Sequence, residues 1–514
     1  MKKSLSSVIL VIMALLLSLT PALASGTEIV SARDTLIFGL PADPGSLDIT
    51  STQTPQQARI TVNLYESLFT YGENYEIVPR LLKSYEWLNE ELTGIRLNLR
   101  DDVYFHNGDL MKVGDVLFSF RIISEIPMKY PPIQMIDWDN TKIIDDFTVD
   151  VMFKSPNPEF LDYNAAINIP IVNEKDYTAN NGDGSKMDYG TGPYKLAEWV
   201  SGDHITLVAH DKYWDTGKPY IKNVVFRIIV ENAMRIIELE TGGIDMTLEI
   251  LATDIEKVTS NPDLYVEMLQ NAAQQNIVFG VGSEAIRNYK VREAVIYAIG
   301  NDAYQDVYGG LAYHMPTGLM STEIPDAKAY VFPDRDVEKA KQLLAEAGYP
   351  DGVDLNINSN QMQDRINYCQ IFQQKCADAG IRLTVNTLES SAATNLQQSG
   401  DYDLIVSRQS MPIPTVSFFC KFFVTEYGAN KWQMPGEEYD QLFYSMMSAA
   451  DPVEKTKFAE QLQDMLMLEI HQFYPIDCGD EIYAMTKDLQ GVKIQDTHSI
   501  FSLAPSLRDL YFVK

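Results

Sequence analysis

The stretch from Gly190 to Asp245 constrains the fold of this chain more than any other. Gly190-Thr191-Gly192-Pro193-Tyr194-Lys195 reads as a Gly-Pro turn. Ile205 to Val208 and Asn223 to Val230 then alternate as a strand pair, punctuated by Asp211-Lys212-Tyr213-Trp214 and Gly217-Lys218-Pro219. A helix is expected over Ala233 to Glu240, closed by Thr241-Gly242-Gly243-Ile244-Asp245. No Ser/His/Asp set, metal cluster or phosphate loop is built into this stretch. It reads as scaffold.

The remaining periodicity alternates in the same way. Thr35 to Leu40 is a short apolar strand ending at the turn Pro41-Ala42-Asp43-Pro44-Gly45. Helices are expected over Thr61 to Phe69, Lys112 to Ile123, Val291 to Ile299, Asp336 to Ala347, Asp364 to Ala379 and Lys455 to Leu468. The helix from Asp336 is the clearest. Asp334 or Asp336 caps its start, Val337, Ala340, Leu343, Leu344 and Ala347 form one face, and Gly348 ends it. Strands are expected over Leu92 to Leu99, Ile381 to Val385 and Leu404 to Val406. Gln275 to Lys290 is expected to cross between lobes as a flexible connection, and Asn180 to Asp188 to form an exposed loop. Strands alternating with helices argue for an α/β fold. A mature length of about 490 residues suggests more than one domain.

Residues 1–24 have the layout of a secretory signal peptide. Lys2 and Lys3 precede an apolar run from Val8 to Leu19, and Ala22-Leu23-Ala24 is a small-x-small cleavage site. The run is shorter than the roughly 20 residues a membrane span needs, and Pro21 breaks it. No cysteine follows that would take a lipid anchor. The mature chain is therefore expected in the periplasm or outside the cell, with no direct membrane insertion. Its formal charge moves from −30 to about −32 when the two lysines are removed. Such a surface repels nucleic acid and anionic lipid. Cys369 and Cys376 share a helical pattern, with Cα atoms roughly 10 Å apart, too far to bridge. With Cys420 and Cys478 they read as buried thiols.

Searches for chemistry return little. Gly-x-Ser-x-Gly, His-Glu-x-x-His and Gly-Lys-Ser/Thr are all missing. Gly280-Val281-Gly282 is a weak dinucleotide fingerprint without a clean helix start. The six histidines are scattered singly. His106 reads as a turn residue, His204 and His210 as surface residues, and His314 as a loop residue able to contact a ligand. No metal site and no cofactor are expected. A secreted hydrolase using two facing carboxylates, as a glycosidase does, is the alternative, because acids are abundant.

Ordered blocks along the chain resemble the extracellular solute-binding proteins of family 5, the peptide-, oligopeptide- and nickel-binding components of ABC importers. The blocks include Asp43-Pro44-Gly45-Ser46-Leu47-Asp48, Asn63-Leu64-Tyr65-Glu66-Ser67-Leu68, and Leu99-Arg100-Asp101-Asp102-Val103-Tyr104-Phe105-His106-Asn107-Gly108-Asp109. They continue with Gly190 to Tyr194, Lys290-Val291-Arg292-Glu293-Ala294, and Lys339 through Pro350. The resemblance implies a non-enzymatic two-lobe α/β fold of the type II periplasmic-binding-protein kind with an extra subdomain. Residues 33–58, 190–272 and 485–514 would form the first lobe, 59–189 the subdomain and 273–484 the second lobe. A monomer would capture a small polar solute between the lobes and deliver it to membrane permease subunits. Peptide-like compounds come first, then an oligosaccharide or a metal chelate.

The resemblance also implies where ligand contacts fall: Gln53 and Thr54 after the first strand, Arg365 before a second-lobe helix, Arg408 and Gln409 at the end of Leu404 to Val406, and His314. In peptide-binding members an Asp after that strand pairs with the peptide amino terminus. Here the alignment places Met411 there, and no acid occurs between Asp403 and Glu426. Ordinary free-amine dipeptides are therefore expected to bind weakly, since a buried ammonium without a carboxylate is costly.

Overall fold

The computed structural model describes residues 29–50, 55–72, 76–126, 131–166, 169–183, 189–308, 313–320, 324–409, 415–425, 436–449, 451–492 and 506–514. The expected signal peptide, Gln53, Thr54 and Met411 lie outside these residues.

Eleven strands among the described residues join one sheet. From one edge the order is 381–388, 353–360, 404–409, 264–279, 473–486, 246–248, 35–40, 223–228, 204–209 and 194–200, with 313–314 beside 473–486. Two long antiparallel strands, Leu264–Phe279 and Phe473–Thr486, form its middle. Their far ends enter different cores. Leu264, Ile482 and Ala484 pack with the helix Asn232–Glu240, while Tyr483 and Met485 pack with Leu36, Phe38, Val224 and Phe226. Ile277, Phe279, Tyr474 and Ile476 pack instead with Val295, Leu343, Phe372 and Leu404. Between these ends the pairing is broken twice, at Gln270/Gln274 and at Gln275/Asn276. The second break falls where Asn276 faces Pro475, which has no N–H to offer the ladder.

A separate four-stranded sheet, from strands 82–87, 94–99, 148–152 and 142–145, carries its own core of Leu97, Val116, Phe120, Val149 and Phe160. Lys421 ties this part to the half containing strand 404–409. Its ammonium bonds the Tyr163 hydroxyl and lies 4.2 Å from the Phe418 ring centre. Burial lowers the Lys421 pKa to about 8.

The glycine turn works as a clamp. A Cβ at Gly190 would sit 2.1 Å from the Leu64 carbonyl oxygen, and one at Gly192 would sit 2.5 Å from that of Asn63. Both glycines therefore lie against the end of the helix Pro55–Leu64. Thr191, between them, donates to the carboxylate of Glu66, which is fully buried. Glu66 also accepts from Arg80 Nε at 2.9 Å, Tyr213 Oη at 2.7 Å and Trp214 Nε1 at 3.0 Å. The Asn63 to Leu68 block, the Gly190 turn and the Asp211 to Trp214 segment thus meet at one carboxylate, together with Arg80. Gly192→Ala should cost about 1–3 kcal/mol, because the atoms in the way are backbone. A urea midpoint equal to that of the parent would refute the clamp.

Arg292 is a second buried anchor. It is 1% exposed and donates to the carbonyls of Ile286, Ile470 and Gly280 at 2.8, 2.9 and 3.0 Å. Burial pulls its pKa down to about 10.

Several elements depart from their expected places. The helix expected over Thr61 to Phe69 occupies Pro55–Leu64 instead. Pro55 stands at its first position, where a missing N–H is harmless, and Phe69 opens the strand Phe69–Tyr71. Gln275 to Phe279 complete a strand. Gly280 and Gly282 are packed rather than flexible, with added Cβ atoms meeting Tyr402 at 2.2 and 2.8 Å. His210, expected at the surface, is buried edge-on against His106 with ring centres 5.0 Å apart. Both rings lie within hydrogen-bonding reach of the Gly192 carbonyl. Burial and the neighbouring His210 push the His106 pKa down to about 3. His314 belongs to a short strand, Tyr313–His314. All four cysteines are buried free thiols.

Candidate functional site

The middle of the long strand pair gathers charge. Arg59, on the helix Pro55–Leu64, is 3% exposed and lies between two acids. Its NH1 is 3.1 Å from Glu249 Oε1, and its NH2 pairs with Glu481 Oε1 on strand Phe473–Thr486. Glu249 sits in the left-handed region with φ 55°, a strained conformation for a residue with a Cβ. Arg59 Nε is buried without a hydrogen-bond partner among the described residues.

The two partners respond differently to this pairing. Arg59 is held more firmly protonated, despite burial, chiefly by Glu481. The Glu481 carboxyl is pushed up to about 7. Burial is the main cause and Glu249 adds repulsion, while Arg59 and Arg408 oppose. The guanidinium stays charged throughout, so proton uptake in this group falls on Glu481.

Four residues further up the same strand, Asp477 is 2% exposed and accepts from the Tyr368 hydroxyl. Burial pushes its pKa up to about 6, against the pull of Tyr368, Arg408 and Arg365. Gln275 is its register partner, and Arg408 pairs with Gln275 from the other side. Arg408, Gln275 and Asp477 therefore form one row across three strands. Gln275 donates to Asp364 Oδ2 at 2.9 Å, while its own Oε1 is buried without a partner.

The sequence-derived candidates distribute unevenly around this centre. Arg408 is exposed, makes no salt bridge with a described residue, and bears electrostatically on both Asp477 and Glu481. Gln409 faces Gln274, Gln274 faces Cys478, and Cys478 faces His314. The backbones of Gln409 and His314 thus lie in the row next to that of Arg408. Arg365 follows Asp364 in the first turn of the helix Gln363–Ala377 and bears on Asp477. Gln53 and Thr54 lie outside the described residues, just before the helix that carries Arg59.

Sequence reasoning missed Arg59, Glu249, Asp477 and Glu481. One signal was available: Asp477 interrupts the apolar run from Phe473 to Cys478. An acid inside a buried strand needs a reason. Chemically, the group sets the guanidinium groups of Arg59 and Arg408 around the carboxyls of Asp477 and Glu481 on strand Phe473–Thr486.

The family model of the bacterial extracellular solute-binding proteins, family 5 (middle), matches residues 76–431. The glutathione-binding protein GsiB of Salmonella typhi is 24% identical over 493 residues, covering 92% of this chain and 92% of that relative. Among solved structures, the binding protein AgaA with agropinic acid, from A. tumefacien R10, is 22% identical. It aligns over 93% of this chain and 99% of its own with a TM-score of 0.75. The periplasmic binding protein DppA from Helicobacter pylori, in complex with the peptide STSA, is 21% identical. It aligns over 93% and 98% with a TM-score of 0.71. The fold is accordingly the α/β type II periplasmic-binding-protein fold.

Proposed function

Because the chain belongs to the bacterial extracellular solute-binding proteins of family 5, we propose that it captures a zwitterionic, peptide-like solute between two lobes and hands it to an ABC permease. It is a binding protein rather than an enzyme, and membership of this family leaves the secreted-hydrolase alternative without support. The proposed lobes comprise residues 33–58, 190–272 and 485–514 on one side and 273–484 on the other, with 59–189 as the subdomain. The separate cores at the two ends of the long strands support that division. We take the mature protein to be exported and monomeric.

The observation that carries the ligand class is the meeting of two cations and two acids at one stretch of strand Phe473–Thr486: Arg59 paired with Glu481, and the unpaired Arg408 acting electrostatically on Asp477 and Glu481. An ammonium and a carboxylate on one solute would each find an opposite charge there. Glutathione, for which the relative GsiB is named, and the peptide STSA bound by DppA carry both groups. The expected weakness toward free-amine dipeptides rested on the acid-free stretch after Asp403. Asp477 and Glu481, on another strand, supply acids that could replace the missing one. Calorimetry against a dipeptide panel, with and without amino-terminal acetylation, separates the two cases. Native mass spectrometry of material purified without refolding would identify a retained solute. Turnover of peptides, rather than stoichiometric capture, would overturn the binding reading.

Arg408 should act as a ligand contact. Arg408→Ala is expected to weaken binding of the retained solute about ten- to a hundredfold, the loss of one charge-assisted hydrogen bond. The unliganded melting temperature should hardly move, because the side chain is exposed and unpaired with described residues. Unchanged affinity would remove Arg408 from the site.

A further inference from the structure

A cavity opens at the start of strand Phe473–Thr486, away from the charged group. Asp477 is four residues away, or roughly 13 Å along the strand. The cavity holds about 340 Å³, within the range of small-molecule sites. Tyr297, Tyr330, Phe332 and Tyr474 supply aromatic walls, with Phe332 and Tyr474 edge-on at 5.7 Å. Glu293 and His471 add the polar wall.

Several features single out this place. Glu293 is half-buried and forms no ion pair or hydrogen bond with any described residue, its charge acting only on the His471 ring of the same cavity. Arg292, its neighbour in sequence, does not line the cavity, and its guanidinium is engaged by backbone carbonyls. The Tyr474 hydroxyl is buried without a partner among the described residues. His471 has φ 45°, and the turn before it, Met465–Glu469, is π-helical. Both irregularities occur preferentially at working sites. At the mouth, Val331 is 100% exposed and Leu468 57% exposed.

We propose that this cavity binds a small arylalkyl amine, its ammonium toward Glu293 and its apolar body among Tyr297, Tyr330, Phe332 and Leu468. An unpaired carboxylate beside several aromatic rings favours a cation on two counts, ion pairing and attraction to the ring faces. The acidic surface of the chain raises the local concentration of cations further. The assignment is independent of the solute held near Arg59 and Arg408.

The test is calorimetry and saturation-transfer NMR on the mature chain, with 2-phenylethylammonium as probe and phenylacetate as its charge-reversed counterpart. The ammonium should bind and phenylacetate should not. Glu293→Gln should weaken the ammonium about tenfold. Leu468→Arg should weaken it as well, by placing a cation at the mouth. Leu468 is exposed, so that variant keeps the test alive should Glu293→Gln fold poorly. Arg408→Ala should leave probe binding unchanged. No binding at millimolar concentration, equal binding of phenylacetate, indifference to both Glu293→Gln and Leu468→Arg, or loss of the probe on Arg408→Ala would each overturn the proposal.

Discussion

Glu66→Ala should remove about 3–5 kcal/mol of folding stability, the usual cost of breaking a buried charge pair by deleting one partner. The carboxylate is fully buried and accepts from Arg80, Thr191, Tyr213 and Trp214. Truncation strands all four donors, two of them on large aromatic side chains. Glu66→Gln keeps the volume and one carbonyl oxygen, so its loss should be smaller. Urea unfolding monitored by tryptophan fluorescence reads both, and Trp214 reports on the site directly. An alanine variant with the parent midpoint would show that the donors find other acceptors, and the convergence of sequence blocks on this carboxylate would then have no energetic meaning.

Arg59→Met should show a loss of similar size, about 3–5 kcal/mol at neutral pH, but one that depends on pH. Methionine fills most of the space and leaves Glu481 facing Glu249 without a cation. Glu481 already titrates near 7 in the folded chain, above the ordinary glutamate value of about 4.3. The folded state therefore binds more protons than the unfolded state between these two values. The stability this contributes is fully present below about pH 4.3 and is lost as pH rises through about 7. Removing Arg59 raises the folded value further. The deficit of the variant relative to the parent should thus be smallest near pH 4, where Glu481 is neutral in both, and should grow toward pH 8. A deficit that does not vary with pH would mean that Arg59 acts through packing alone.

On the proposed reading the same carboxyls also meet the solute. Asp477 and Glu481 are pushed up to about 6 and 7. A solute ammonium settling beside them would favour the ionised forms, so binding should release protons below neutrality and tighten between about pH 5 and 7.5. Calorimetry in buffers of different ionisation enthalpy measures that release. No proton release at pH 6 would place the solute's cation elsewhere.

What the sequence made legible was local. The helix after Asp336 is capped by that side chain, which accepts from the Lys339 N–H at 2.9 Å, and Gly348 takes φ 96° beyond its end. Those signals need only a few neighbouring residues. The helix Pro55–Leu64 was misplaced because its buried positions include Gln57, Arg59 and Asn63, which break an apolar pattern. His210 read as surface because its burial depends on His106, far away in sequence. Arg408 was within reach through the resemblance. Arg59, Glu249 and Glu481 were not, since they are brought together over 190 and 422 residues of separation. Nothing local about an arginine in a helix announces such a pairing.

The broken pairing in the middle of the long strands bears on how solute and motion are connected. The interruptions at Gln270/Gln274 and Gln275/Asn276 lie between the two cores, on the strands that also carry Asp477 and Glu481. If the lobes swing about these loosened rungs, the pivot and the charges that hold the solute are one piece of backbone. No relay is needed between capture and closure. Adapting such a protein to a new solute would then retune its resting shape at the same time. Variants at 477 and 481 should differ in compactness by small-angle scattering even when no solute is present.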